Sequence, residues 1–509
     1  MKPRLFGIVV FGLLLALGER ALSNEAAAAW PTHEWSHATP EEQGLDSNAL
    51  ADALDFVRAK HIRLHSLQIE RNGSMILDAY VFPFADGELH DLASVTKSVT
   101  STLVGIAIGE GRFSGVDAPI VPLFRDQPKQ DADPRKDSIT IGHLLSMTSG
   151  LDCHADHDEV TLRRMWNSRH WAQFILDLPM AADPGSTFEY CSGGMHVLSA
   201  ALTKVTGGSA LEMARKTLFA PLGISADEWP ADAEGISHGW GDLHLQPRDM
   251  AKLGYLWLHN GSWEGRQVVP AGYLSAAEAV HSKAPWGEEY GYGLWVYPKR
   301  ELPLFEANGR GGQRVSVIPS KNMVVVMTGG GFEPGDIGAF IIKALKSDRE
   351  LPPNPAGYAR LRRAIADAAK PAQAHPLTAL PLLARRLAGT YTLETNPLSL
   401  SLVSFRFDTP SEASLRLVFA DGRVQEGAVG LDGVPRLTKL ATGRTIALQG
   451  QWTPTALELN YDQVADINAF TLSFVPTADR IVVQIVQQPE TGNLNAVIKG
   501  RREVLNHGQ

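Results

Sequence analysis

Cysteine is almost absent from this chain: Cys153 and Cys191 are the only two in 509 residues. In an exported protein two cysteines suggest one disulfide, the alternative being two buried free thiols. A structural metal site needs about four ligands. Cys153, His154 and His157 in "LDCHADHDE" therefore read as a polar surface loop rather than a metal site. Nothing in the pattern calls for a metal or a cofactor. Excess positive charge is also missing. The formal net charge of -9 leaves no basic face for nucleic acid or an anionic membrane. Blocks of like charge and internal repeats are absent. Long apolar runs are scarce as well. The conspicuous one is "LFGIVVFGLLLALG", residues 5–18, which is too short to span a bilayer comfortably. Lys2 and Arg4 precede it and small residues follow, the pattern of a secretory signal peptide over residues 1–29. No cysteine near the cleavage zone offers a lipid site. The expectation is a periplasmic or secreted protein without a stable membrane anchor.

What is present describes a globular protein, with 44% hydrophobic and 20% charged residues, too long for one ordinary core. From about residue 36 to 350 strand-like and helix-like stretches alternate. "NALADALDFVRAK" has helical periodicity, and "LHSLQIERNGSMILDAY" reads as a hairpin turning at Asn72-Gly73. A mostly helical middle follows. Strand signals return at "YGLWVYP", "QRVSVIPSKN" and "MVVVMTGG", with a last helix near "IGAFIIKALKS". Strands at both ends and helices between predict one sheet closed by distant segments, plus a helical lobe. "LPPNPAGY" breaks the pattern, and residues 351–379 read as a linker with a short helix. From 380 to 509 short alternating runs, one pair turning at Asp421-Gly422, predict an all-β domain. No chemical constellation is visible in it. Packing, substrate gating and carbohydrate contact are all open roles.

Three short stretches carry chemistry. In "LASVTKSVTSTL" Ser94 and Lys97 share one face at the start of an apolar helix that stops at Gly109 or Gly111. One reading is a capping serine followed by a solvated lysine; the other is a nucleophile beside its activator. In "GSTFEYCSGG" Tyr190 precedes Cys191 and Ser192. A phenol alone is a poor base, and one beside an ammonium is a better one. The alternative is a tyrosine packing its ring at a loop–helix junction. In "ANGRGGQRVSV" Gly309, Gly311 and Gly312 open a strand, where glycine costs stability and suggests close approach of another group. A glycine-rich hairpin turn fits the same residues.

In order, SVTK, YCS and RGG resemble the motifs of the serine β-lactamase and penicillin-binding-protein superfamily. The likeness is to its class C-like branch of 6-aminohexanoate-oligomer hydrolases and esterases. "HLLSMTSGLD", "LFAPLGI", "HLQPRDMAKLGYLWLHNG" and "VIPSKNMVVVMTGG" agree, so the resemblance covers roughly residues 36 to 345. It implies an α+β fold: a β-lactamase-like antiparallel sheet flanked by helices with a helical lobe over 36–350. The all-β domain that follows would be barrel- or sandwich-like. It implies Ser94 as the acylated nucleophile, Lys97 as holder of its proton, and Tyr190 as general base. Ser192 would hydrogen-bond Lys97 or substrate. The backbone N–H groups of Ser94 and Gln313 would form an oxyanion hole, worth about 3–4 kcal/mol per donor. It also implies a Cys153–Cys191 bridge beside the cleft.

Arg310-Gly311-Gly312 keeps the cation but loses the hydroxyl of the Lys-Thr-Gly found in β-lactam-specialised members. With Ser192 in place of asparagine, this points to a small-molecule or peptide-like amide or ester rather than a β-lactam. Trp240, Trp286, Tyr290 and Tyr292 are candidates for an acyl pocket, with core packing the alternative for each. The rival functions are a β-lactamase or D-alanyl-D-alanine peptidase and, in a different class, a slowly deacylating recognition protein for cell-wall fragments.

Overall fold

A computed structural model describes residues 30–124, 133–154, 160–487 and 494–503. The expected signal peptide and His157 lie outside the described residues. Among them, no helix is long and apolar enough to cross a membrane.

The strands Leu64–Arg71 and Ser74–Tyr80 pair antiparallel around the Asn72-Gly73 turn, both residues having positive φ. That hairpin does not stand alone. Met323–Gly329 pairs antiparallel with Leu64–Arg71, so residues more than two hundred positions apart close one sheet. Gln313–Ile318, Leu304–Gly309 and Trp295–Tyr297 continue it into a nine-stranded sheet. Because successive side chains point to opposite faces, the sheet feeds two cores. Val315, Val317, Val324 and Val326 face the helical lobe. Ile69, Met323, Val325 and Met327 face the other layer.

That second layer is formed by Ser47–Ala59, Pro334–Ala344 and Pro355–Ala368. The last helix starts inside the proline-rich stretch. Asn354 caps it through the Gly357 N–H, and Pro355 occupies its first position, where a missing N–H costs nothing. Its Leu361 and Ala364 are buried in the second core.

On the lobe side lies the helix Val95–Gly109, which carries Lys97. Val95, Val99, Leu103 and Ile106 are buried as the periodicity predicts, but so are Ser98, Thr100, Ser101 and Thr102. Their hydroxyls donate to carbonyls of Gly293, Gly239, Tyr292 and Ser98. A helix enclosed all round must satisfy such groups internally, and the result is a rigid post at the centre of the lobe.

Residues 389–502 form a ten-stranded sheet, antiparallel except at one parallel pairing. It closes on itself where Val424–Gly430 meets Thr445–Trp452 at Gly430 and Gln449, so the all-β domain is a barrel rather than a sandwich. Inward residues such as Phe405, Leu415, Leu459, Phe474 and Ile485 fill it.

Candidate active site

Ser94 stands at the N-cap position of the central helix, yet its side chain makes no capping hydrogen bond. Its Oγ instead accepts from Lys97 Nζ at 2.8 Å. Lys97 is 1% exposed and donates its second bond to the Trp240 carbonyl at 3.0 Å. The solvated-lysine reading is therefore excluded by geometry. Two points fix the turn before Ser94. Ala93 has φ 45°, a left-handed conformation for a residue with a Cβ. Its N–H is held by Asp91 Oδ1 at 2.8 Å.

Tyr190 reaches the same place from the disulfide-bonded segment. Lys97 Nζ lies 4.8 Å from the centre of its ring. Trp295 stacks on the ring at 6.2 Å, with 18° between planes. Cys191 is bonded to Cys153 with a Cα–Cα distance of 5.6 Å, so the pairing implied by the resemblance is present and ties the Tyr190 segment to the loop after Gly150. His154 extends from that loop beside Asp152, with Nδ1 to Oδ1 at 3.2 Å. Among the described residues no group of three or more His, Cys, Asp or Glu could hold a metal ion.

Ser94, Tyr190, Trp240 and Trp286 line one open cleft of about 1180 Å³. Arg310 and Gly309 line it from the sheet, and Trp166, Trp295 and Tyr297 add further aromatic surface. Trp286 and Trp166 are 64% and 47% exposed at its mouth. Tyr290 and Tyr292 do not line the cleft. Tyr290 is buried behind Trp295, and Tyr292 stacks on His281 at 3.8 Å. Ser192 opens the helix Ser192–Thr206 and faces a small recess behind the disulfide.

The RGG stretch is a tight turn joining the strands paired at Gly309 and Gln313. Gly311 and Gly312 have φ 80° and 95°. A Cβ on Gly312 would lie 2.4 Å from Phe332, and one on Gly309 would lie 2.6 Å from the Leu92 carbonyl. The close approach that the glycines suggest is thus made by the protein itself, the second contact bringing this turn against the residues before Ser94. Gln313 is wholly buried; its amide donates to the Gly329 carbonyl at 2.6 Å and accepts from Gly329 N–H at 3.0 Å. Of the residues singled out in the motif, only Arg310 and Gly309 touch the cleft.

Sequence reasoning missed Asp91, Asp242, Trp166 and Trp295, and the barrel residues Ile467 and Asn468, all of which line the cleft. Asp91 is buried, and burial, with Asp466 and Asp242 adding repulsion, pushes its carboxyl up to about 7 against the Ala93 N–H and Arg310. Behind it His90 Nδ1 is hydrogen-bonded to the Asp91 carbonyl at 2.7 Å and its Nε2 to His65 Nδ1 at 2.9 Å. Burial holds both imidazoles low, His90 at about 3.

A family model described as Beta-lactamase matches residues 55–342. The 6-aminohexanoate-dimer hydrolase of Paenarthrobacter ureafaciens is 27% identical over 268 residues, covering 50% of this chain and 67% of that protein. Penicillin-binding protein 4 of Amycolatopsis lactamdurans is 30% identical over 167 residues, 28% of this chain and 42% of the relative. Esterase EstB of Burkholderia gladioli is 26% identical over 213 residues, 36% and 53% respectively. The chain thus spans about two thirds of the first relative's length and about half or less of the other two. With the model matched over more than half of its length, the chain belongs to the beta-lactamase family, serine hydrolases that act on amides and esters.

Proposed function

We propose that this protein is an exported serine hydrolase that cleaves an amide or ester bond through an acyl-enzyme on Ser94. The observation that carries the reading is the buried Lys97 ammonium donating to Ser94 Oγ at 2.8 Å inside the cleft, with the Tyr190 ring beside it. Burying a cation is expensive unless its donors are used, and here one of them is spent on a hydroxyl.

In the proposed reaction Ser94 Oγ bonds to the substrate carbonyl carbon, the carbonyl π pair moves to oxygen, and the hydroxyl proton passes to Tyr190 reacting as its phenolate, with Lys97 holding the hydroxyl in place. The oxyanion that forms is met by the Ser94 N–H, at the N-terminal end of the helix. The C–N or C–O bond then breaks and the leaving group takes the proton from Tyr190. Water repeats the sequence on the acyl-enzyme and returns the proton to Ser94 Oγ. Arg310, at the cleft wall, orients the leaving group, and Ser192 supports the segment that presents Tyr190. The aromatic surface from Trp166 to Tyr297 suits an apolar acyl group. The hydrolase and esterase names of two relatives support an amide or ester substrate. The disulfide and residues 5–18 support export.

The test is intact-protein mass spectrometry and product release with p-nitrophenyl acetate, penicillin G and a linear 6-aminohexanoate dimer, on wild type and Ser94→Ala. The expected result is turnover of ester or amide that falls by at least about 10³-fold in Ser94→Ala at unchanged Tm. Full activity in that variant excludes the reading. A persistent Ser94 adduct without product points to the recognition protein, and turnover confined to penicillin G points to the β-lactamase.

A further inference from the structure

Among the described residues the barrel reaches the cleft at Gln487 and Leu494 and through the turn Val464–Asn468, between the strands Leu457–Gln463 and Ala469–Pro476. The turn is fixed on both sides. The Ala465 carbonyl accepts from the Asp91 N–H at 2.9 Å, three residues before Ser94. Val464 and Ala465 pack with Tyr80 and Phe84 in a small core of their own. Arg63 and Asp462 form an ion pair at 3.0 Å just upstream. Ile467 is 1% exposed and sits where a Cβ on Gly311 would be, 2.5 Å from its Cγ2. That contact is one physical reason for glycine at 311. Beside it, Asn468 Oδ1 accepts from Arg310 Nη1 at 3.3 Å and from Gln487 Nε2 at 2.9 Å, while its Nδ2 donates to Asp466 Oδ1 at 3.0 Å. Ile467 and Asn468 both line the cleft with Arg310.

We propose that the barrel turn is part of the active site, with Asn468 as a positioning residue that aims the Arg310 guanidinium and so selects substrates whose leaving group carries a carboxylate. An arginine side chain loses considerable rotamer entropy when it is fixed, and a partner that fixes it beforehand spares the substrate that cost. An amide oxygen suits the task. It accepts the guanidinium N–H without adding a charge that would compete with an anionic ligand. Asn468 is itself held by Gln487 and Asp466, so its own orientation is set before substrate arrives. The inference rests on the Ser94 hydrolase reading and adds the C-terminal domain to the determinants of its specificity.

Two acetate esters with chromogenic leaving groups test it, one of 4-nitrophenol and one of 3-carboxy-4-nitrophenol, on the full chain. In Asn468→Ala, KM for the carboxylated ester is expected to rise about tenfold, with kcat held within about twofold and both constants for 4-nitrophenyl acetate nearly unchanged. Asn468→Asp, which keeps the acceptor but adds a charge, is expected to raise KM for the carboxylated ester beyond the alanine variant and to spare the neutral one. Equal changes on both esters, a fall in kcat on both, or no change on either overturns the inference. So does a wild type that turns over only the neutral ester; the hydrolase reading survives all four. If neither ester is turned over in a manner that depends on Ser94, the hydrolase reading fails and the inference goes with it.

Discussion

Lys97 is a cation kept out of water by the protein around it, and its two hydrogen bonds, to Ser94 Oγ and the Trp240 carbonyl, do not repay that cost the way a carboxylate partner would. Under the proposed reading a lysine held on those terms serves chemistry rather than stability. Lys97→Met replaces the charge with a side chain of similar length beside the Tyr190 ring. The expected outcome is a fall in kcat of about 10³-fold on p-nitrophenyl acetate, with Tm unchanged or higher. Retained activity with a Tm loss of several degrees would make Lys97 a packing residue. At this scale the sequence was legible where contacts are local: Ser94 and Lys97 lie within one helical turn, and their spacing predicts the shared face on which they hydrogen-bond, although the choice between a capping serine and a nucleophile came from the resemblance. It was silent on Asp91 and Asn468. Their roles come from the Ala465–Asp91 and Arg310–Asn468 contacts, between segments far apart in the chain, and neither residue sits in a pattern that distinguishes it from a surface polar group.

Elements carry the next level of constraint, and the disulfide is the clearest case. Cys191 caps the helix Ser192–Thr206, its Sγ accepting from the Gly194 N–H, so the bridge to Cys153 locks both the start of that helix and the Tyr190 residue just before it. Closing a loop of 38 residues removes chain entropy from the unfolded state worth about 4 kcal/mol. Cys153→Ser with Cys191→Ser is expected to lower Tm by roughly 5 °C and to lower kcat, because Tyr190 gains freedom. Reductant should shift the wild type toward the double variant and leave the variant itself unmoved; a wild type indifferent to both changes would remove the bridge from the account. Strands and their turns were legible here, since period-2 alternation and the Asn72-Gly73 and Asp421-Gly422 turns are local signals. Two features were legible only in part. A short helix was expected within 351–379, but not its start at Pro355, a residue that stops a helix from within and starts one comfortably when Asn354 supplies the cap. Barrel and sandwich share one inward–outward alternation, and what separates them is the single pairing of Gly430 with Gln449.

Across the whole molecule, buried ionisable groups set opposing pH dependences. Glu70 is pushed up to about 8, Asp91 and Glu278 to about 7 and Asp462 to about 6, all chiefly by burial. Each carries its proton in the folded state where the unfolded chain has lost it. Their contribution is therefore complete below the ordinary carboxyl range and is lost as pH rises through the folded values. Burial holds His65, His90, His196 and His244 low, His90 at about 3. These bind protons more readily when unfolded, so their contribution is complete above about pH 6.5 and lost as pH falls. Between about pH 4 and 6.5 the two sets offset each other; above that only the carboxyls act. Tm is expected to be highest in that interval and to fall toward pH 8.5. Asp91→Asn isolates one member, at the point where the barrel, the turn before Ser94 and the His65–His90 pair meet. The variant keeps an acceptor for the Ala93 N–H and has no proton to lose, so its Tm relative to wild type should rise by several degrees between pH 5 and pH 8.5. A difference that stays constant across that range would mean the carboxyl of Asp91 is ionised throughout, and the electrostatic coupling of Asp466 on the barrel to the Ser94 turn would have no bearing on stability.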